Sequence, residues 1–203
     1  MILIGGSNVN FQLVKKSNNK HADGIQVICP PIELKVESSS ILSYSVYNYH
    51  SVMIDDQHRL FGIGFNNNGE ISRTLPKEKL EKFTEFSIKD NQNRLMILKA
   101  VHCGYSYTLY LVTDPDNQTR QQLAYSFSTK NPEFFDLTIP KILKVWRSNP
   151  FSIFGGSKHS AAIDSDGGII FINYESIEKS PTSPITAVFL PDGERAIKIA
   201  CCY

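Results

Sequence analysis

The sequence predicts an all-β protein made of repeated hairpins, a propeller or a solenoid, on three observations. One is a stretch from His50 to Ile71 that reads strand, tight turn, strand and Gly/Asn-rich bend. Another is its recurrence 109 residues later, where His159, Ser160, Ile163 and Asp164 replace His50, Ser51, Ile54 and Asp55 without a gap. The last is a divergent copy between them, opening at Tyr107, 57 residues after His50.

Along the chain, Met1-Ile2-Leu3-Ile4 opens directly as an apolar strand, which suits a propeller closed by an N-terminal strand. Gly6-Ser7-Asn8, with Gln12-Leu13, matches the bend of the central stretch at an offset of 58. Residues 15–24 form a polar loop, and Ile25 to Ile28 a short strand ended by Pro30-Pro31, because proline cannot donate to a ladder. Ile41 to Tyr49, rich in Tyr, Ile and Val, is the strand that leads into the central hairpin. There Val52 and Ile54 alternate with Ser51, Met53 and Asp55, the period of a strand with two faces. Asp55-Asp56-Gln57 supplies the turn, and Leu60, Phe61 and Ile63 the return strand. Gly62 and Gly64 sit two apart within it, which predicts one face crowded by a neighbour.

Residues 76–86 read as a short helix, with Pro76 in its first turn and Leu80 and Phe83 on one face. Asp90 to Asn93 turns the chain into the strand Leu95 to Cys103. The hairpin of Tyr107 to Val112 and Leu123 to Ser128 is six residues longer than the central one, with a polar tip over 113–122. Asn131, Glu133 and Phe134 follow where Asn68, Glu70 and Ile71 stood. Pro140, Ile142, Leu143 and Val145 mark an outer strand; Gly104 and Gly156 each stand three residues before Tyr107 and His159. A Ser/Pro-rich loop over 175–184 precedes the strand around Ile185 to Leu190, and Ile199 to Tyr203 matches Val101 to Tyr105. The chain thus reads as one repeat domain over 1–203: a partial repeat with a closing strand (1–45), repeats over 46–100, 101–152 and 153–197, and the start of another at 198–203.

His50-Ser51 with Phe61-Gly62-Ile63-Gly64-Phe65-Asn66-Asn67-Asn68-Gly69-Glu70-Ile71 resembles the repeat of the regulator of chromosome condensation family. The copies at Tyr107-Thr108 and Asn131-Pro132-Glu133-Phe134 are degenerate, and the one at His159 has no bend after Asn173. The resemblance covers nearly the whole chain and implies a seven-bladed β-propeller. These residues would make an incomplete one, about three to four blades. Open blade faces and strand edges are a liability, so a piece of a longer propeller is expected; two copies completing a ring is the alternative.

Composition narrows the function. Hydrophobic residues make up 41% of the chain, sufficient for a core, and 21 basic residues against 20 acidic ones leave a formal charge of +1. No global basic field favours nucleic acid or an anionic membrane. Cys29, Cys103, Cys201 and Cys202 have no paired spacing and read as buried thiols of a reducing compartment. Neither a secretory signal nor a membrane-length apolar run is present, so the expected location is intracellular, cytoplasm or nucleus, and the Asn117-Gln118-Thr119 sequon reads as chance.

No phosphate-binding loop, zinc signature or nucleophile elbow occurs. Gly62-Ile63-Gly64 is followed by no helical pattern, so it reads as a strand kink rather than a dinucleotide loop. Repeated residues are scaffold more often than chemistry: His50, Ser51, Gly62, Gly64, Asn66, Gly69, Gly104, Gly156, His159 and Ser160 form the structural motif. Asp55, Asp56, Asp164 and Asp166 read as turn residues rather than calcium ligands. Trp146 is the only tryptophan, against the photoreceptor branch of the family, which clusters them. No catalytic residue, metal or cofactor is expected, nor a small-molecule substrate or membrane. The expected function is a protein-interaction scaffold, with partners bound through blade loops. The candidate loop holds Asp114, Asp116, Asn117 and Arg120. What the resemblance implies as the alternative is guanine-nucleotide exchange on a Ran-type small GTPase, without covalent chemistry. Its chromatin binding is disfavoured by the near-neutral charge.

Overall fold

A computed structural model describes residues 3–7, 28–33, 40–47, 49–90, 92–119, 121–127, 141–143, 150–173, 185–188, 190–191 and 193–200. The expected all-β fold is observed: every regular element among these residues is a strand. β1 (Leu3–Ser7) and β2 (Ile28–Glu33) form a two-stranded sheet. Three antiparallel four-stranded meanders follow, the blades of an incomplete propeller. The first holds β3 (Ile41–Tyr47), β4 (His50–Asp55), β5 (Leu60–Gly64) and β6 (Leu80–Phe86). The second holds β7 (Ile97–Cys103), β8 (Tyr107–Thr113), β9 (Gln121–Phe127) and β10 (Lys141–Leu143). The third holds β11 (Pro150–Gly155), β12 (His159–Asp164), β13 (Ile169–Asn173) and β14 (Ile185–Val188).

Each blade lies face to face on the next. β7 packs against β3 and β4, and β11 against β7, β8 and β9. β4 is buried on both faces, as a strand inside a stack must be. The first seam is filled by Val52, Ile54, Leu60 and Phe86 of one blade and Leu98, Val101, Tyr110 and Val112 of the next. Leu109, Leu111 and Leu123 meet Ala162, Ile170 and Ile172 in the second. At about 1.5–3 kcal/mol per large buried apolar side chain, these seams dominate the stability. Strand alternation makes the arrangement possible, since even-numbered residues of β8 face one neighbour and odd-numbered ones the other.

Two expectations are corrected. Residues 76–86 hold no helix: β6 pairs with β5, Gly62 opposite Thr84 and Leu60 opposite Phe86. Leu80 and Phe86 are buried at an even spacing while Glu81 and Glu85, at odd offsets, face solvent, as in a two-faced strand; Lys82 is exposed where the ladder shifts register between Gly62 and Gly64. Residues 25–27 lie outside the described residues, and the strand expected to end at Pro30-Pro31 instead runs through both prolines as β2. Its ladder with β1 shifts register between Ile4 and Gly6, opposite the prolines, so irregular pairing removes the need for their N–H groups. Gly6 and Ser7 end β1, as Gly64 ends β5, and the rest of the expected bend, 8–13, lies outside the described residues. The two strand glycines also differ in reason: Gly62 is crowded by Ile71 and Phe86, whereas Gly64 has φ +102° with the Tyr49 carbonyl close by.

After the third blade one contact recurs at positions equivalent to those that join β7 to the first blade. His58 Nδ1 donates to the Leu98 carbonyl at 2.7 Å. At the corresponding positions, Ala196 N donates to the Gly167 carbonyl at 2.9 Å. Trp146, Cys201, Cys202, Tyr203, and the expected bend at 131–134 lie outside the described residues.

Candidate functional site

The motif residues converge on the seams. His50 is fully buried, with Nε2 2.9 Å from Thr108 Oγ1 of the next blade. Thr108 gives its only hydroxyl proton to the Glu70 carbonyl at 2.8 Å, so Nε2 of His50 is the donor and Nδ1 the bare nitrogen. Burial pushes the imidazole down to about 4, against the Tyr107 backbone, with His102 adding to the effect. His50 is therefore neutral near pH 7, a fixed donor between blades. Tyr107 does the same work at the second seam: its hydroxyl lies 2.6 Å from Ser160 Oγ and donates toward the His159 and Gly156 carbonyls. Gly104 and Gly156 close the matching turns, bonding Tyr107 O and His159 O.

The bend is organised by Asn66, fully buried. Its Oδ1 accepts from Ile71 N and Ser72 N, and its Nδ2 donates to the Ser72 and Pro76 carbonyls. Gly69 (φ +87°) turns the chain there, and the Gly69, Glu70 and Ile71 carbonyls accept hydroxyls of Ser126, Thr108 and Tyr110. Ser51 is buried in β4, and His159 stacks on Phe171 with 5.6 Å between ring centroids. Cys103 is buried, its thiol pushed up to about 12 by burial, which makes it a poor nucleophile.

The opposite ends of the blades carry turns of one design. Asp55 Oδ1 accepts from Gln57 N and Arg59 N while Oδ2 takes Arg59 Nε at 2.7 Å. Asp90 repeats this with Gln92 and Arg94, and hydrogen bonds from the Arg94 backbone, foremost, hold its carboxyl below its usual range. Asp164 accepts from Asp166 N and Gly168 N, with no arginine at the fourth position. The residue before the last donor is left-handed in all three: His58, Asn93 and Gly167. Asp56, also in the first of these turns, accepts from Ser40 Oγ.

Of the candidate partner loop, Asp114, Asp116 and Asn117 come together at the β8–β9 tip, and Arg120 lies outside the described residues. Asp114 Oδ1 accepts from Asp116 N, and Asn117 Oδ1 from Thr119 N and Oγ1. Arg94 bridges the tip to the preceding turn, pairing with Asp90 at 2.7 Å, Asp114 at 3.6 Å and Asp116. Sequence reasoning missed Arg94, Thr108, Tyr110 and Ser45, whose Oγ accepts from Cys103 N at 2.8 Å. The repeated Asp-x-x-x-Arg spacing could have revealed Arg94, and Thr108 holds the repeat position of Ser51 and Ser160; nothing local marks Tyr110 or Ser45. Among the described residues no group of three His, Cys, Asp or Glu side chains could hold a metal.

No family model and no curated protein matches the sequence. Solved structures do match the fold. Yeast RCC1 (Prp20) bound to Kap60 is 15% identical with a TM-score of 0.63, covering 94% of this chain and 45% of its own. Human WBSCR16 is 14% identical with a TM-score of 0.59, covering 84% and 47%. Prp20p from Saccharomyces cerevisiae, described with its binding properties to Gsp1p and histones, is 18% identical with a TM-score of 0.53, covering 74% and 35%. The chain spans less than half the length of each of these chains. Its blades and their stacking are those of an incomplete propeller of the regulator of chromosome condensation type.

Proposed function

We propose that the protein is an interaction propeller that binds a protein partner through loops at its blade ends, inside the cell. The observation that carries this reading is the β8–β9 tip. Asp116 is 76% exposed by its side chain, yet the tip is held by its own Asx turns and by Arg94, a pre-organised shape that loses little entropy on binding. The histidines, tyrosines and buried cysteine described above are engaged in the blades, in keeping with a scaffold rather than covalent chemistry. Partner capture by the full chain should fall at least about tenfold with Asp116→Lys/Asn117→Ala. Capture that is unchanged by these substitutions would move the site away from this loop.

Guanine-nucleotide exchange is the second reading, favoured by the fold shared with Prp20p and by the binding to Gsp1p stated for that protein. The same tip is the candidate projection. A panel of small GTPases loaded with fluorescent nucleotide decides between the two: release catalysed at sub-stoichiometric protein supports exchange, and release that scales one-for-one with protein supports scaffolding alone.

A further inference from the structure

Three histidines run across the blade stack. His50 lies in the first seam on Thr108. His102, on β7, reaches the second, where a Cβ on Gly155 would collide with its ring. His159 opens β12 in the third blade. Each feels the next: charge on His102 opposes charge on His50, and charge on His159 opposes charge on His102.

Two of the rings have a buried nitrogen without a partner, Nδ1 of His50 and Nε2 of His102. A proton added to either nitrogen creates a buried cationic N–H with no acceptor, a costly state. The surroundings compensate only in part, through the Tyr107 backbone at His50 and the Gly156 backbone at His102. From β8, His50 meets the Tyr107 backbone and the Thr108 hydroxyl; from β7 come His102 and the protonated thiol of Cys103. In the bend, Glu70 spends both carboxylate oxygens on Asn68. On His102 the Gly156 backbone partly opposes the effect of burial, and Tyr107 lies alongside with 6.2 Å between ring centroids. Among the described residues no carboxylate hydrogen-bonds either imidazole.

We propose that the pair His50 and His102 is an acid-sensitive release built into the blade stack, in which protonation loosens both seams and exposes the apolar faces between blades. Both His50 and His102 are pushed from 6.5 down to about 4, mainly by burial. The unfolded or opened chain therefore binds protons first as pH falls. The stability contributed by the neutral rings is present above about 6.5 and lost progressively as pH falls toward 4.

Hydrogen exchange on the full chain tests this at the Val101 and Cys103 amides, which bond Ser43 and Ser45 across the first seam. Corrected for intrinsic rates, their protection should fall on the order of 100-fold between pH 7 and pH 4. The ring nitrogens of His50 and His102 should remain neutral in 15N spectra until protection is lost. The double variant His50→Gln/His102→Gln keeps a side-chain N–H donor without the titration and should flatten the profile. Should that pair not fold, His50→Tyr provides the comparison, since tyrosine already holds the second seam. Protection that ignores pH, a profile unchanged in the variants, or imidazoles that titrate near 6.5 with the seam closed would each overturn the proposal.

Discussion

The two seams solve one problem with different parts. In the first, His50 reaches Thr108, and the bend over 65–79 reaches across as well, placing three carbonyls on hydroxyls of β8 and β9. In the second, the Tyr107 hydroxyl meets Ser160 and two carbonyls of the next turn, and Tyr105 N donates to the Ser157 carbonyl. A histidine and a tyrosine thus hold equivalent places because each ends in a donor that reaches the neighbouring blade. What the repeat requires is a donor at a given reach and a hydroxyl to meet it, rather than one residue type. Copies can therefore diverge in sequence while the stack remains closed.

Substitutions should separate the seams. Asn66→Ala has the largest expected effect: it strips four hydrogen bonds from the bend and leaves buried backbone groups unmatched, about 4 kcal/mol by chemical denaturation. Hydrogen exchange should place the loss in the first seam, and equal loss in both would mean that they open together. Gly62→Val comes next at about 3 kcal/mol, because even a Cβ there would lie 2.5 Å from Ile71 Cγ2. A thermal scan showing no loss would mean that Ile71 yields freely.

Tyr107→Phe should weaken the second seam by about 2 kcal/mol. A double-mutant cycle with Ser160→Ala should show coupling of about 1 kcal/mol, and a value near zero would mean that the hydroxyl pair contributes nothing. The smallest contrast lies at the tips, where Asp55→Asn should cost about 0.5 kcal/mol more than Asp164→Asn, since only Asp55 faces an arginine. Equal midpoints in urea would show that the turn bonds alone matter.

The hairpins were legible because strand alternation and the repeat offset are both local signals. The same alternation was misleading at β6: Leu80 and Phe83 satisfy a helical spacing, while Leu80 and Phe86 satisfy a strand spacing, and only the ladder with β5 decides between them. The inter-blade partners were less visible still. Thr108 shows only its repeat position and Tyr110 looks like an ordinary strand residue, until stacking brings them to Glu70 and Ile71, 38 and 39 residues away in sequence. The arginine at Arg94 left a trace, the spacing it shares with Arg59, but its reach to Asp114 and Asp116 depends on the fold of the next hairpin.

The Gly69 carbonyl is matched by the hydroxyl of Ser126, 57 residues further along. At ordinary rates of translation, roughly 5–20 residues per second, the bend leaves the ribosome some seconds before its partner exists. During synthesis each blade therefore waits, with its apolar face bare, for the next one to arrive. That interval is when a nascent chain of this kind most needs a chaperone, and codons that slow the ribosome between Gly69 and Ser126 would lengthen it.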